Sequence, residues 1–253
     1  MTSLSEALVV GAAIGIIPLL IGFVPSFLVG GRWRGWPSFS AGTGLGFLSL
    51  FFTDLIDDSG GLGESLGFAF TPTQVTLAAL FFIGFAILMI AAREKSSSSS
   101  GHVLIAYLVA VGIGFHAMGE GMIIGNNLAG EAVIEDLSTL VQGLGFALHK
   151  LLEGFTIALF IAPKGRLRSA AICAILAGVP LILGIPLGFF TYPTILANFL
   201  FAAGAGAVLF IIVKIATSFE YTKQIWNFVS GFLLGFVLVY LGSLVHFVEI
   251  AGG

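Results

Sequence analysis

The amino-acid sequence predicts an all-α integral membrane protein of eight transmembrane helices, and three observations predict it. Hydrophobic residues make up 58% of the chain and charged ones only 9%, with a mean hydropathy of +1.10, too little polar material to coat a water-soluble globule. The apolar residues fall in long continuous windows, and at about 20 residues per bilayer crossing the chain has room for roughly eight. Those windows lack the alternation that a lipid-facing barrel strand requires, which selects helices over strands.

In order, the spans are expected at Leu4 to Leu28, Pro37 to Leu55, Thr73 to Ala92, His102 to Asn126, Leu137 to Ala162, Ala170 to Phe190, Ile195 to Ala216 and Ile225 to Phe247. The first follows Met1 to Glu6, which lacks a basic region, and is long enough to span, so no cleaved signal peptide is expected. Pro18 and Pro25 in the first span, and Pro180 and Pro186 in the sixth, should kink their helices. The second and seventh spans contain Gly42-Thr43-Gly44-Leu45-Gly46 and Gly204-Ala205-Gly206-Ala207, small residues that let helices approach closely in lipid. Residues 93–101, with Ser96 to Ser100, make a short cytoplasmic linker inside a single transmembrane domain covering residues 1–253. The single cysteine, Cys173, excludes an intramolecular disulfide and a Cys-based zinc site. No phosphate-binding loop, dinucleotide fingerprint or basic nucleic-acid face is present, so neither ATP-driven pumping nor nucleic-acid binding is expected.

Loop charges give an orientation. Arg32, Arg34, Arg93, Lys95, Lys164, Arg166, Arg168 and Lys223 all fall in the first, third, fifth and seventh loops, while the alternate loops and both termini hold no Lys or Arg. The positive-inside rule then puts both termini on the non-cytoplasmic side, in what is expected to be a plasma (inner) membrane. Glu6, Asp57, Asp58, Glu64, Glu131, Glu135, Asp136 and Glu249 fall on that opposite side, where they would raise the local concentration of cations.

Ionisable groups at bilayer depth are costly and mark functional sites. Five fall in two neighbouring spans: the fourth reads His116-Ala117-Met118-Gly119-Glu120-Gly121 and the fifth His149-Lys150-Leu151-Leu152-Glu153-Gly154. Each contains His-x-x-x-Glu-Gly, and i,i+4 side chains share one helix face about 5–6 Å apart at Cβ. Both histidines fall near the middle of their windows, so the two antiparallel spans can face one another and offer His116, Glu120, His149 and Glu153 to one ion. Neutral imidazole with carboxylate suits Zn²⁺ or Fe²⁺, with Mn²⁺ and Cd²⁺ as further candidates, better than Na⁺ or K⁺. Two buried His–Glu hydrogen bonds fixing helix packing are the plainer alternative.

These residues resemble the paired motifs of the ZRT/IRT-like (ZIP) metal transporters, and eight spans with both termini outside fit the same family. Phe39-Ser40-Ala41-Gly42 leading to Asp54 and Asp58 is similar to its second-span pattern. The resemblance implies a binuclear metal centre between the fourth and fifth helices, transport toward the cytoplasm, a homodimer, and an entrance or relay role for Asp54 and Asp58, with a solvated helix end as the alternative for Asp54. The motifs also depart from the family's. Gly119 and Leu152 stand where a proline usually precedes the acid, and Ala117 and Lys150 replace the second-site ligands that follow each histidine. An ammonium cannot ligate but can supply the charge of a second cation, so a single-metal site is expected; snorkelling and neutralisation of Glu120 or Glu153 are the other roles open to Lys150.

Asn126 and Asn127 could relay ions or cap a helix end. Lys214, Glu220, His246, Met118 and Met122 need no more than interfacial, loop or packing roles. The chain is thus expected to transport divalent transition-metal ions, with bilayer lipid and the metal as partners and no prosthetic group. It is not expected to be an enzyme. One alternative is an intramembrane metal-dependent hydrolase, against which four strong protein ligands argue, since catalytic zinc usually keeps three and leaves one position to water; another is a proton-coupled receptor or channel using the same His/Glu pairs as a relay.

Overall fold

The computed structural model describes residues 3–29, 34–60, 71–94, 101–130, 137–161, 167–191, 194–218 and 224–250. These form α1 (Leu4–Gly11), a π-helical turn (Ala12–Ile16), α2 (Ile17–Val29), α3 (Trp36–Asp58), α4 (Pro72–Glu94), α5 (Gly101–Gly130), α6 (Leu137–Ile161), α7 (Leu167–Phe190), α8 (Thr194–Ser218) and α9 (Ile225–Ile250). Among the described residues eight helices are long and apolar enough to cross a membrane, the first, Leu4–Leu28, being assembled from α1, the π-turn and α2. Arg32, Lys95, Lys164, Arg166, Lys223, Glu64, Glu131, Glu135, Asp136 and Glu220 lie outside the described residues, as do the side chains of His246 and Glu249. Arg93 and Glu94 complete α4 and Gly101 opens α5, and the rest of the linker, residues 95–100, lies outside the described residues.

Local chemistry sets the helix ends. Ser3 caps α1 in a capping box with Glu6, whose carboxylate accepts from the Ser3 N–H at 2.7 Å while the Ser3 hydroxyl accepts from the Glu6 N–H at 3.3 Å. Thr71 and Gln74 repeat the arrangement at the start of α4, with Pro72 at the first helical position. The prolines act differently from one another. Pro18 follows the π-turn, in which the Ile17 N–H donates to the Ala12 carbonyl five residues back, a register change that accommodates a residue with no N–H. Pro25 in α2 and Pro180 and Pro186 in α7 lie within helices that continue through them.

Glycines spaced by four set the packing. Gly121 and Gly125 of α5 press on the Leu181 and Ile185 carbonyls of α7, while Gly184 and Gly188 of α7 press on the Met118 and Met122 carbonyls of α5. Gly42 and Gly46 of α3 meet Gly231 and Gly235 of α9 in the same reciprocal way, through the backbone at Phe228, Phe232, Phe39 and Thr43. Without a hydrophobic drive in lipid, such close backbone contact is what associates helices. A β-carbon would strike backbone at each position, so Gly125→Ala and Gly235→Ala are each expected to cost about 1–3 kcal/mol, read as a lower melting temperature in detergent; unchanged melting in both would sink this account of the packing.

The register of those contacts runs in parallel: Tyr107 bonds Ser169 at 3.1 Å near the starts of α5 and α7, and Gly125 meets Ile185 near their ends. Each intervening helix therefore returns the chain across the bundle. Arg34, Arg93 and Arg168 gather at one end, and Glu6, Asp57 and Asp58 at the other. Toward the basic end the bundle is closed by fully buried side chains, Ile113, Ile157, Phe160 and Ile211 among them. Large apolar side chains such as Phe82, Ile87 and Ile90 of α4 and Leu233, Tyr240 and Leu241 of α9 point outward, as lipid-facing positions do.

Candidate metal centre

α5 presents His116 and Glu120 and α6 presents His149 and Glu153, both near mid-helix. The glycine after each acid seats the helix: Gly121 lies against the α7 backbone at Leu181, and Gly154 against the α2 backbone at Leu19. With those faces fixed, the acids on the adjoining face turn toward each other.

The four predicted ligands come together as one group, with one ligand atom from each lying within 4.8 Å of the others. His116 Nε2 stands 3.0 Å from Glu120 Oε1 and 3.9 Å from Glu153 Oε1, and His149 Nε2 stands 3.1 Å from Glu153 Oε1 and 3.9 Å from Glu120 Oε1. Ligands of a tetrahedral ion held at about 2.0–2.1 Å are separated by roughly 3.3 Å, and these distances straddle that value. Despite the short separations, His116 Nδ1 and Nε2 and His149 Nε2 are buried without a well-aligned hydrogen bond among the described residues. Buried polar atoms are normally satisfied, so two imidazole nitrogens converging on one small space are suited to a cation.

Lys150 completes the centre. Its ammonium donates to Glu153 Oε1 and Oε2 at 2.7 and 2.8 Å and pairs with Glu120 Oε2. Glu120 thus turns one oxygen to the imidazoles and the other to the ammonium, and Glu153 bridges the same two neighbours. Of the roles open to Lys150 in the sequence, snorkelling is the one the structure overturns: the side chain is 2% exposed and turns inward, because two carboxylates within reach satisfy its charge better than a distant interface. Ala117, next to His116, packs with Leu181, Ile185 and Ala7 in an apolar cluster.

Aromatic rings wall the group. Phe51 of α3 meets His116 edge-on at 4.9 Å between centroids and His149 at 5.7 Å, and Phe201 of α8 lies 5.3 Å from His116. No local pattern in α3 or α8 marks these two phenylalanines, because they reach the site only through tertiary packing. Phe146, one turn before Lys150, sets its ring 5.4 Å from the ammonium, and its i,i+4 spacing was the available sequence signal.

Exposure across the site is graded. Glu120 and His149, one turn nearer the acidic end on their helices, are 12% and 22% exposed, whereas His116 and Glu153 are 3% and 0%. The other candidate residues stay outside the four-ligand group: Asp54 is half-buried and Asp58 exposed at the end of α3, and Asn126 and Asn127 are exposed near the end of α5. What the geometry establishes is a membrane-spanning helical protein with a buried His/Glu group able to hold a metal ion. No protein-family model matches the chain, and neither does any curated protein.

Proposed function

We propose that the chain carries a divalent transition-metal ion, zinc or iron or one of similar chemistry, across the membrane toward the cytoplasm. The observation that carries this reading is the convergence of two imidazoles and two carboxylates at the middle of two antiparallel spans. An ion at that depth has no role in holding a soluble surface, and donors of this kind select a transition metal over Na⁺ or K⁺. The exposure gradient, with Glu120 and His149 more exposed than His116 and Glu153, supports access from the acidic end, the state from which an ion would be loaded in alternating access. The paired motifs are what the chain shares with ZRT/IRT-like transporters, and the Lys150 ammonium beside both carboxylates, a departure from that pattern, supports a one-metal site.

The hydrolase reading requires a water on the metal and a base beside it. The nearest further polar group on the helix, Thr156, donates instead to the Leu152 carbonyl at 2.9 Å, and both carboxylates are engaged by Lys150. Uptake of radioactive zinc or iron into proteoliposomes separates the readings. Transport predicts accumulation, whereas metal-stimulated hydrolysis without accumulation would favour the enzyme. The pH dependence gives a second measurement. An imidazole must be neutral to ligate, so uptake should weaken as the pH falls through roughly 6. A profile flat down to about pH 5 would remove histidine ligation from the mechanism.

A further inference from the structure

We propose that Lys150 is a tethered counter-cation that evens out the charge of the empty and the loaded site, allowing the emptied carrier to return without metal. This rests on the transport reading above and extends it to the half of the cycle in which no ion is bound.

Lys150 is buried and contacts both carboxylates at once, and among the described residues it is the Lys or Arg with which Glu120 and Glu153 form ion pairs. Its ammonium holds Oε2 of both acids, and Glu153 Oε1 as well, while His116 Nε2 and His149 Nε2 face Oε1 of the two acids, so the Oε2 contacts are left to the ammonium when a cation meets the Oε1 side. A metal can therefore join the imidazoles without evicting the ammonium, and the Phe146 ring stabilises the cation from a further side.

The charges then add simply. With neutral imidazoles, two carboxylates and one ammonium give the empty site a net charge of −1, and a dication makes it +1. Without the ammonium the same states would carry −2 and 0. The Born cost of holding charge in a low-dielectric interior rises with the square of the charge, so the ammonium lowers the cost of the empty state to about a quarter while giving the loaded state a matching one. A carrier without it would cross readily when loaded and stall when empty.

Net uptake and exchange distinguish these cases. Purified full chain in proteoliposomes is assayed near pH 7.5, about a unit above the ordinary histidine pKa, for radioactive zinc entering vesicles that hold only chelator and vesicles preloaded with unlabelled zinc. Chelator-loaded vesicles require the empty carrier to return, whereas preloaded ones do not. In wild type the two rates should agree within about threefold, and Lys150→Gln should lower the ratio of net uptake to exchange by at least about tenfold, whatever its effect on exchange itself. Lys150→Arg should keep the wild-type ratio, and Lys150→Met replaces the glutamine variant if that one is not monodisperse. Parallel losses of net uptake and exchange, or wild-type exchange more than about tenfold faster than net uptake, would overturn this proposal alone. A wild-type protein that moves zinc in neither assay would overturn the transport reading and this proposal with it.

Discussion

Glu153→Ala is expected to abolish metal uptake and also to lower the protein's thermal stability, whereas His149→Ala should abolish uptake with much less effect on stability. Both variants lose one of four ligands, and a fall of more than about a hundredfold is expected, beyond the range seen for loss of an outer-shell partner. Their structural consequences differ because of Lys150. Glu153 is fully buried and receives the Lys150 ammonium on both oxygens, so its removal leaves a buried cation held by Glu120 alone. Breaking one side of a buried pair costs about 3–5 kcal/mol, which for a chain of this size corresponds to a drop of roughly 6–20 °C in melting temperature. His149 is the most exposed of the four ligands, and its removal leaves the ammonium and both carboxylates in contact. Zinc uptake measured beside thermal melting of the detergent-purified variants checks this. If His149→Ala lost as much stability as Glu153→Ala while both kept their uptake, the group would be a packing device and the metal reading would fall.

The spans were legible because lipid imposes a length and a composition that few other constraints imitate. Their ends were less so: the second window stops at Leu55 on hydropathy, but α3 continues to Asp58, since a helix end in the interfacial region tolerates acids that the hydrocarbon excludes. The four ligands were legible because i,i+4 spacing is local and the two spans are neighbours in the chain, so no long-range knowledge was needed to bring them together. Phe51 and Phe201 were not, because their approach depends on how α3 and α8 pack. The direction taken by Lys150 was open for a similar reason: a four-carbon stem can turn to an interface or to a partner, and only the placement of Glu120 on a different helix decides between them. Glycine packing lies between these cases. The stretch from Gly42 to Gly46 does seat α9, but the paired spacing of Gly121 and Gly125 with Gly184 and Gly188, plainly present in the sequence, carries the α5–α7 contact and was not singled out. In the other stretch that was, Gly206 seats α8 on the α4 backbone at Phe81, whereas a β-carbon on Gly204 would make only ordinary contact, its nearest neighbour 3.6 Å away.

Lys150→Asp is expected to change the metal stoichiometry from one per chain to two. In the wild-type protein an ammonium holds Glu120 Oε2 and both oxygens of Glu153, where it cannot ligate and repels a second cation. The substitution removes that charge and supplies a third carboxylate, shifting the empty site from a net −1 to −3 with neutral imidazoles. Three acids facing one another are costly in a low-dielectric interior, so the variant without metal should melt lower than wild type and recover as zinc is added, because an ion that binds only the folded state stabilises it. Ala117 lies in the apolar cluster with Leu181 and Ile185, so it offers no donor and the second ion would rely on carboxylates and water. It should accordingly bind more weakly than the first and be lost first to a chelator. Native mass spectrometry of the detergent-solubilised protein, with metal analysis of the same sample, counts the ions. Two central metals in the wild-type protein would refute the one-metal site, and a Lys150→Asp protein that still holds one, with its melting unaffected by zinc, would show that the ammonium does not stand in a cation's place.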